Sequence, residues 1–158
     1  MKKLLLVGFL GALALTSCST IKKGKQAQQD RAAFLKMKGD WVLTSVQNSK
    51  NFRIKPFNEG VDAKCFEGSQ WKLVPNNYTG SYTLTNCKSV TQPIKFEVVD
   101  GNTFQFKRVH ADVKAKSVIA GYKLMLIERS ENTFSLKQSI PFDGEVVNVI
   151  YNFQRVQK

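Results

Sequence analysis

From residue 40 onward, apolar and polar residues alternate in short runs separated by turn residues, the pattern of strands that bury one face. Eight such runs can be counted, near 40–47, 69–74, 78–85, 94–99, 103–109, 118–129, 132–140 and 145–156. Ile94, Phe96 and Val98 share one side of their run, as do Phe104 and Phe106, and Tyr122, Leu124 and Leu126. Phe134, Leu136 and Ile140 follow, and then Val147, Val149, Tyr151 and Phe153. Positions between them are mostly polar, among them Lys95, Glu97, Gln105, Lys107, Ser135, Lys137, Asn148 and Asn152. Successive antiparallel strands with one buried face, and no long helices to cover a sheet, predict an all-β fold. The expected form is an eight-stranded up-and-down antiparallel barrel, in which closure removes the edges. A two-sheet sandwich is the competing arrangement, but these short turns do not provide its crossover connections.

Most of the connections are tight and chemically apt. Asn76-Asn77 tolerates the positive φ of a hairpin turn; Asp100-Gly101-Asn102, Ser130-Glu131-Asn132 and Asp143-Gly144 are further turn signals. The first connection, over 48–68, is the outlier, and a long loop in a tight meander is usually functional or a lid. It carries Phe52, Ile54, Phe57 and Val61. It reads equally as a lid over the barrel mouth and as a flap, pinned by Cys65, that docks on another protein. Cys65 and Cys87 lie symmetrically about Asn76, whereas facing Trp71 and Leu73 with Tyr82 and Leu84 needs a register one residue away. Either a bulge absorbs the difference or the cysteines lie beyond the regular ladder.

The residues before the first strand have a different texture. Lys2 and Lys3 precede an apolar run over residues 4–13, broken only by Gly8 and Gly11, and Leu15-Thr16-Ser17-Cys18 follows. The run is shorter than the ~20 residues that cross a bilayer, and its basic flank marks a removable signal. A cysteine straight after small residues is what lipoprotein processing requires, so Cys18 is the predicted lipid-attachment site, carrying diacylglycerol and a palmitate-type acyl chain. The expected division is a signal peptide over 1–17, a Lys-rich tether over 18–29 with no periodicity, and one domain over 30–158. Asp30 is an acceptable N-cap for one or two helical turns ended by Gly39. Removing the signal from the 158-residue chain leaves 141 residues, one domain's worth.

Charge and cysteines refine this picture. The net charge is +12, and losing Lys2 and Lys3 with the signal lowers it to +10. An exported lipoprotein has little access to nucleic acid, so none is expected as a partner; phospholipid head groups and lipopolysaccharide phosphates are the anions on offer. A merely solvated basic exterior is the plainer reading of the same charge. With Cys18 lipidated, Cys65 and Cys87 remain in an oxidising compartment and are expected to pair. Ser19 after the cysteine, with no acidic cluster following, resembles signals for the periplasmic face of the outer membrane.

Few side chains are suited to catalysis. His110, beside Ala111 and Asp112, is the only histidine, and Glu67, Glu97 and Glu128 form no evident acid–base pair. No nucleophile elbow, phosphate loop or metal-ligand spacing occurs, so no enzyme, metal or cofactor is expected. The informative set is the aromatic interior of Trp71, Tyr82, Phe96, Phe104, Phe106, Tyr122, Phe134, Tyr151 and Phe153. These rings either line an apolar cavity, with tyrosine hydroxyls as its orienting groups, or fill it; a barrel of eight strands allows both.

Gly39-Asp40-Trp41 at the start of the first strand resembles the Gly-x-Trp signature of lipocalins. Arg155, in phase with Tyr151 and Phe153, stands where that family has an arginine packing on the tryptophan to close the barrel. The likeness covers about residues 30–157 and is that of an outlying bacterial lipocalin-like lipoprotein, similar to those of Bacteroidetes-type bacteria. The family's Thr-Asp-Tyr stretch is absent, its place taken by Arg129-Ser130-Glu131-Asn132, and no helix follows the last strand. The resemblance implies a lipid-anchored envelope protein that binds a small hydrophobic molecule or lipid. The alternative is an envelope protein-interaction module, such as a periplasmic enzyme inhibitor or a subunit of an outer-membrane assembly, working through the 48–68 loop.

Overall fold

A computed structural model describes residues 17–50, 52–110 and 121–157, with side-chain surroundings from Lys22 onward. The segment read as a signal peptide therefore lies outside the described residues except for Ser17, as do Ala111, Asp112 and the first part of the predicted sixth strand. Eight strands follow one helix: α1 (Ser17–Leu35), β1 (Gly39–Asn48), β2 (Gln70–Val74), β3 (Thr79–Leu84), β4 (Val90–Val99), β5 (Thr103–Arg108), β6 (Tyr122–Arg129), β7 (Thr133–Phe142) and β8 (Glu145–Arg155). Each strand pairs antiparallel with the next, and β8 returns to β1, so the sheet is a closed up-and-down barrel. It is not a sandwich.

The period of two accounts for the core. Phe104 and Phe106 on β5, and Val147, Val149, Tyr151 and Phe153 on β8, are all buried at alternate positions. On β1 a bulge between Leu43 and Ser45 shifts the phase, so that Trp41, Leu43 and Val46 all face inward. The cysteine register resolves in favour of the regular ladder. Trp71 faces Tyr82 and Gln70 faces Thr83, while Cys65 and Cys87 lie outside both strands and form a disulfide with a Cα separation of 5.7 Å. The positive φ between β2 and β3 falls on Tyr78, after a 3₁₀ turn over Pro75–Asn77, and not on the asparagines.

The N-terminal segment differs from expectation. In place of an irregular tether and one or two turns, α1 runs unbroken from Ser17. Lys, Gln and Ala are good helix formers and no proline interrupts them, so propensity carries the helix without an apolar stripe. Only its end packs, with Phe34 against Phe96 at 5.5 Å and against Tyr78 at 5.7 Å. Arg31 lies over both the Phe34 and Tyr78 rings and donates to the Tyr78 hydroxyl. Among the described residues no helix is long and apolar enough to cross a membrane.

This end of the barrel, the base, is sealed by one arginine. The Arg155 guanidinium lies 4.2 Å from the Trp41 ring and donates to the carbonyls of Glu131, Lys38 and Lys36 at 2.7, 2.7 and 2.8 Å. It thus ties β8 to the β6–β7 turn and to the chain leaving α1. The Trp41 indole donates to the Met37 carbonyl and meets Phe134 edge-on at 4.7 Å. Gly39 has a φ of 143°, and a Cβ there would stand 2.5 Å from Arg155 Nη1, so only glycine fits.

Two outcomes follow for stability. Arg155→Ala should cost about 2–4 kcal/mol and Trp41→Ala about 3–5 kcal/mol in urea unfolding, through lost packing and freed carbonyls. Reducing the Cys65–Cys87 bond should remove about 3 kcal/mol, read as a lower Tm in reductant. Equal Tm values with and without reductant would contradict it.

Candidate functional site

The end of the barrel opposite α1 is where the long β1–β2 connection lies. Asn48 starts it by donating from its side chain to the Phe52 carbonyl and accepting from the Lys50 N–H. Asp62 caps a short 3₁₀ turn, Ala63–Phe66, by accepting from the Lys64 N–H. Glu67 then accepts from the β1 amide of Val46 at 2.8 Å and pairs with Lys64; the hydrogen bond from Val46 is the main reason its carboxyl titrates below the ordinary range. The Cys65–Cys87 bond fastens this second half of the loop to the β3–β4 turn.

The first half folds inward. Phe57 and Asn58 both adopt left-handed backbone, with φ of 58° and 54°, and this turns the Phe57 ring into the barrel. Phe57 is 3% exposed, with ring centroids 5.0 Å from Phe106, 5.2 Å from Tyr122, 5.3 Å from Phe66 and 5.4 Å from Tyr151. A left-handed phenylalanine costs about 1–2 kcal/mol. Its burial returns about 2–3 kcal/mol, which outweighs that backbone cost.

Two residues on, Glu59 enters a polar cluster at the rim with its side chain fully buried. The Tyr82 hydroxyl donates to its Oε1 at 2.5 Å, Arg108 Nη2 stands 3.2 Å from the same oxygen, and Lys88 Nζ donates to Oε2 at 3.1 Å. Burial alone would raise the Glu59 pKa. The hydrogen bonds from Tyr82 and Lys88, with the charges of Arg108 and Lys88, outweigh it and hold the carboxyl below its ordinary value. Burial, and then the Glu59 carboxylate, push the Tyr82 hydroxyl far above its own. Arg108 is positioned by a residue of the barrel wall: Gln92 Oε1 accepts from Nε at 3.1 Å and from Nη2 at 3.0 Å. Its Nη1 reaches the carbonyls of Phe57 and Asn58. Gln92 is held in turn by donating to the carbonyls of Pro93 and Val109.

The nine rings picked out in the sequence are all drawn into the interior, where they touch one another. Phe134 stacks on Phe153 at 4.3 Å and Phe96 on Phe104 at 5.5 Å, while Trp71 meets Tyr82 at a tilt at 4.8 Å. The Tyr151 hydroxyl donates to Gln138, the Trp71 indole to Ser69. With Phe57 added, these side chains pack the space around it. One cavity, of about 450 Å³, is lined by outward-facing polar side chains such as Lys95 and Lys123 and by Tyr78, Phe96, Phe106 and Tyr122, and another, of about 290 Å³, lies between the end of α1 and the β6–β7 turn. His110 is exposed, and no metal-binding group of acids, histidines or cysteines occurs among the described residues.

Glu59, Lys88, Gln92 and Arg108 were not nominated from the sequence. For two of them a signal exists. Gln92 falls in phase with Ile94 and Phe96, and Arg108 with Phe104 and Phe106, so each is a polar residue at an inward position. Reading the fourth strand from Ile94, where it starts at Val90, hid the first. Glu59 and Lys88 lie in loops and carry no periodic signal.

No family model and no curated protein matches this chain. Among solved structures, a complex of bovine odorant binding protein with a selenium-containing odorant is similar over 78% of this chain and 76% of its own, with a TM-score of 0.47 and 8% identity. The description of this chain as a closed eight-stranded barrel rests on its own strand pairing.

Proposed function

We propose that this chain is a membrane-anchored binding protein that takes a small apolar molecule into the barrel, in the space that Phe57 fills. The observation that carries this reading is Phe57 itself. Most rings of the interior belong to strands, whereas Phe57 comes from a loop, in a backbone conformation unfavourable for a bulky residue. It sits on the half of the loop that the disulfide does not hold. A ring whose burial has to offset an unfavourable backbone conformation is one that a ligand can replace. Strained backbone of this kind tends to mark clamps and switches.

Cys18 supplies the anchor in this reading. Its support is the basic, apolar and small-residue zones before it, together with the pairing of the other two cysteines. Lys22, Lys23 and Lys25 on α1 are exposed and suit anionic head groups. The cell envelope, at the periplasmic face of the outer membrane, is the proposed location, and binding without catalysis the proposed activity.

A second reading is favoured by a different observation. Phe52 and Phe142 meet at 5.1 Å beside the mouth and are 46% and 55% exposed, with Val146 at 57%. An exposed apolar knob of this kind fits docking on an envelope protein.

Displacement of an apolar fluorescent probe by apolar compounds tests the leading reading. Phe57→Ala, which empties the space of a ring, should tighten probe binding by about tenfold; no binding to either form would dismiss the idea. Cys18→Ser should move the protein from the membrane to the soluble fraction. Phe142→Asp should leave probe binding unchanged while abolishing any cross-link to a neighbouring envelope protein. The latch has its own pH signature. Because the folded Glu59 pKa lies below its unfolded value, its stabilisation is complete above the ordinary carboxylate pKa of about 4.3 and fades as pH falls through the lower folded value. Wild type should therefore lose its stability advantage over Glu59→Gln on acidification, measured as the difference in urea midpoints; a constant difference would contradict it.

A further inference from the structure

Resting on that reading, we propose that the ligand is an anionic amphiphile with one terminal carboxylate, held by Tyr82, Arg108 and Lys88 where they now hold Glu59. The loop stands in for such a molecule. Phe57 and Glu59, two residues apart, place an apolar group among the interior rings and a carboxylate at the rim. Together they have the form of a short fatty acid entering tail first.

The rim supports this on three counts. First, the donors have no use for a neutral occupant. The Tyr82 side chain is buried and that of Arg108 only 18% exposed. Withdrawing Glu59 without a replacement leaves a buried hydroxyl and a largely buried cation lacking their acceptor, which is costly. A ligand carboxylate replaces Glu59 group for group.

Second, the arginine stays aimed when the loop leaves. Gln92 on β4 holds its Nε and Nη2, and Gln92 is fixed by backbone carbonyls outside the loop. Departure of the loop frees Nη1, now on the Phe57 and Asn58 carbonyls, and relieves Nη2 of Glu59. These two nitrogens form the edge that grips a carboxylate in bidentate fashion.

Third, the charge at the rim is conserved. Arg108 and Lys88 face the single carboxylate of Glu59, so a monoanion leaves the rim as it found it. Lys88 is 43% exposed and follows Cys87, whose disulfide keeps the β3–β4 turn in place.

Calorimetric titration with decanoate and with decanol, its neutral twin of equal chain length, separates this proposal from the reading beneath it. Wild type should bind decanoate about tenfold or more tightly than decanol. Arg108→Gln should erase that preference while decanol binds at least as tightly as to wild type, since the bonds from Arg108 to the Phe57 and Asn58 carbonyls are lost with it. Lys88→Gln, at a partly exposed side chain, should reduce the preference, with an unchanged far-UV spectrum showing that the fold is kept. Glu59→Gln should tighten decanoate, because the competing carboxylate is gone. Equal affinity for acid and alcohol in wild type and in Glu59→Gln overturns the carboxylate site and leaves the apolar site standing. If neither compound binds even to Phe57→Ala, the apolar site fails and the carboxylate proposal fails with it.

Discussion

The closure of β1 on β8, locked at the base by Arg155 lying on Trp41, is the constraint from which the rest of the molecule follows. Closure satisfies every strand edge within the sheet, and it sets the interior to the size that eight strands enclose. The base is plugged by Phe34, Met37 and Trp41, and the long connection between β1 and β2 lies at the other end. What the base arginine does for the permanent seal, tying several carbonyls at once, Arg108 does for the loop at the mouth.

The two seals differ in what they bind together. Arg155 joins the end of β8 to the β6–β7 turn and to the chain leaving α1. Arg108 joins the wall to a segment that has left-handed backbone at two residues and carries its own polar partner. Base and mouth thus use the same chemistry, an arginine tying several carbonyls at once, at two different ends of the barrel.

How much of this was legible in the sequence depends on which force decides each part. Strand faces, tight turns and the disulfide are set by burial and local backbone preference, and Phe104, Phe106, Tyr151 and Phe153 or Asp143-Gly144 display them directly. The helix was underestimated because α1 has propensity but almost no amphipathic pattern. Whether the aromatic interior is hollow was not readable, since ring count does not reveal that a loop residue joins the strand residues inside. The rim cluster was half-legible: Gln92 and Arg108 break the inward apolar pattern, but their partner Glu59 arrives from a loop whose path depends on two left-handed residues.

The position of the disulfide has a thermodynamic consequence. With Cys65 fixed, the stretch carrying Phe57 and Glu59 remains tethered at both ends and cannot travel far from the mouth. Its return is intramolecular, at an effective concentration of about millimolar or higher. Under the proposed function, any guest molecule binds against a resident competitor that dilution cannot remove. Its apparent Kd is the intrinsic value divided by the fraction of molecules whose mouth is open. The resident segment thus filters by strength of occupancy, and weakly fitting molecules present in passing are turned away.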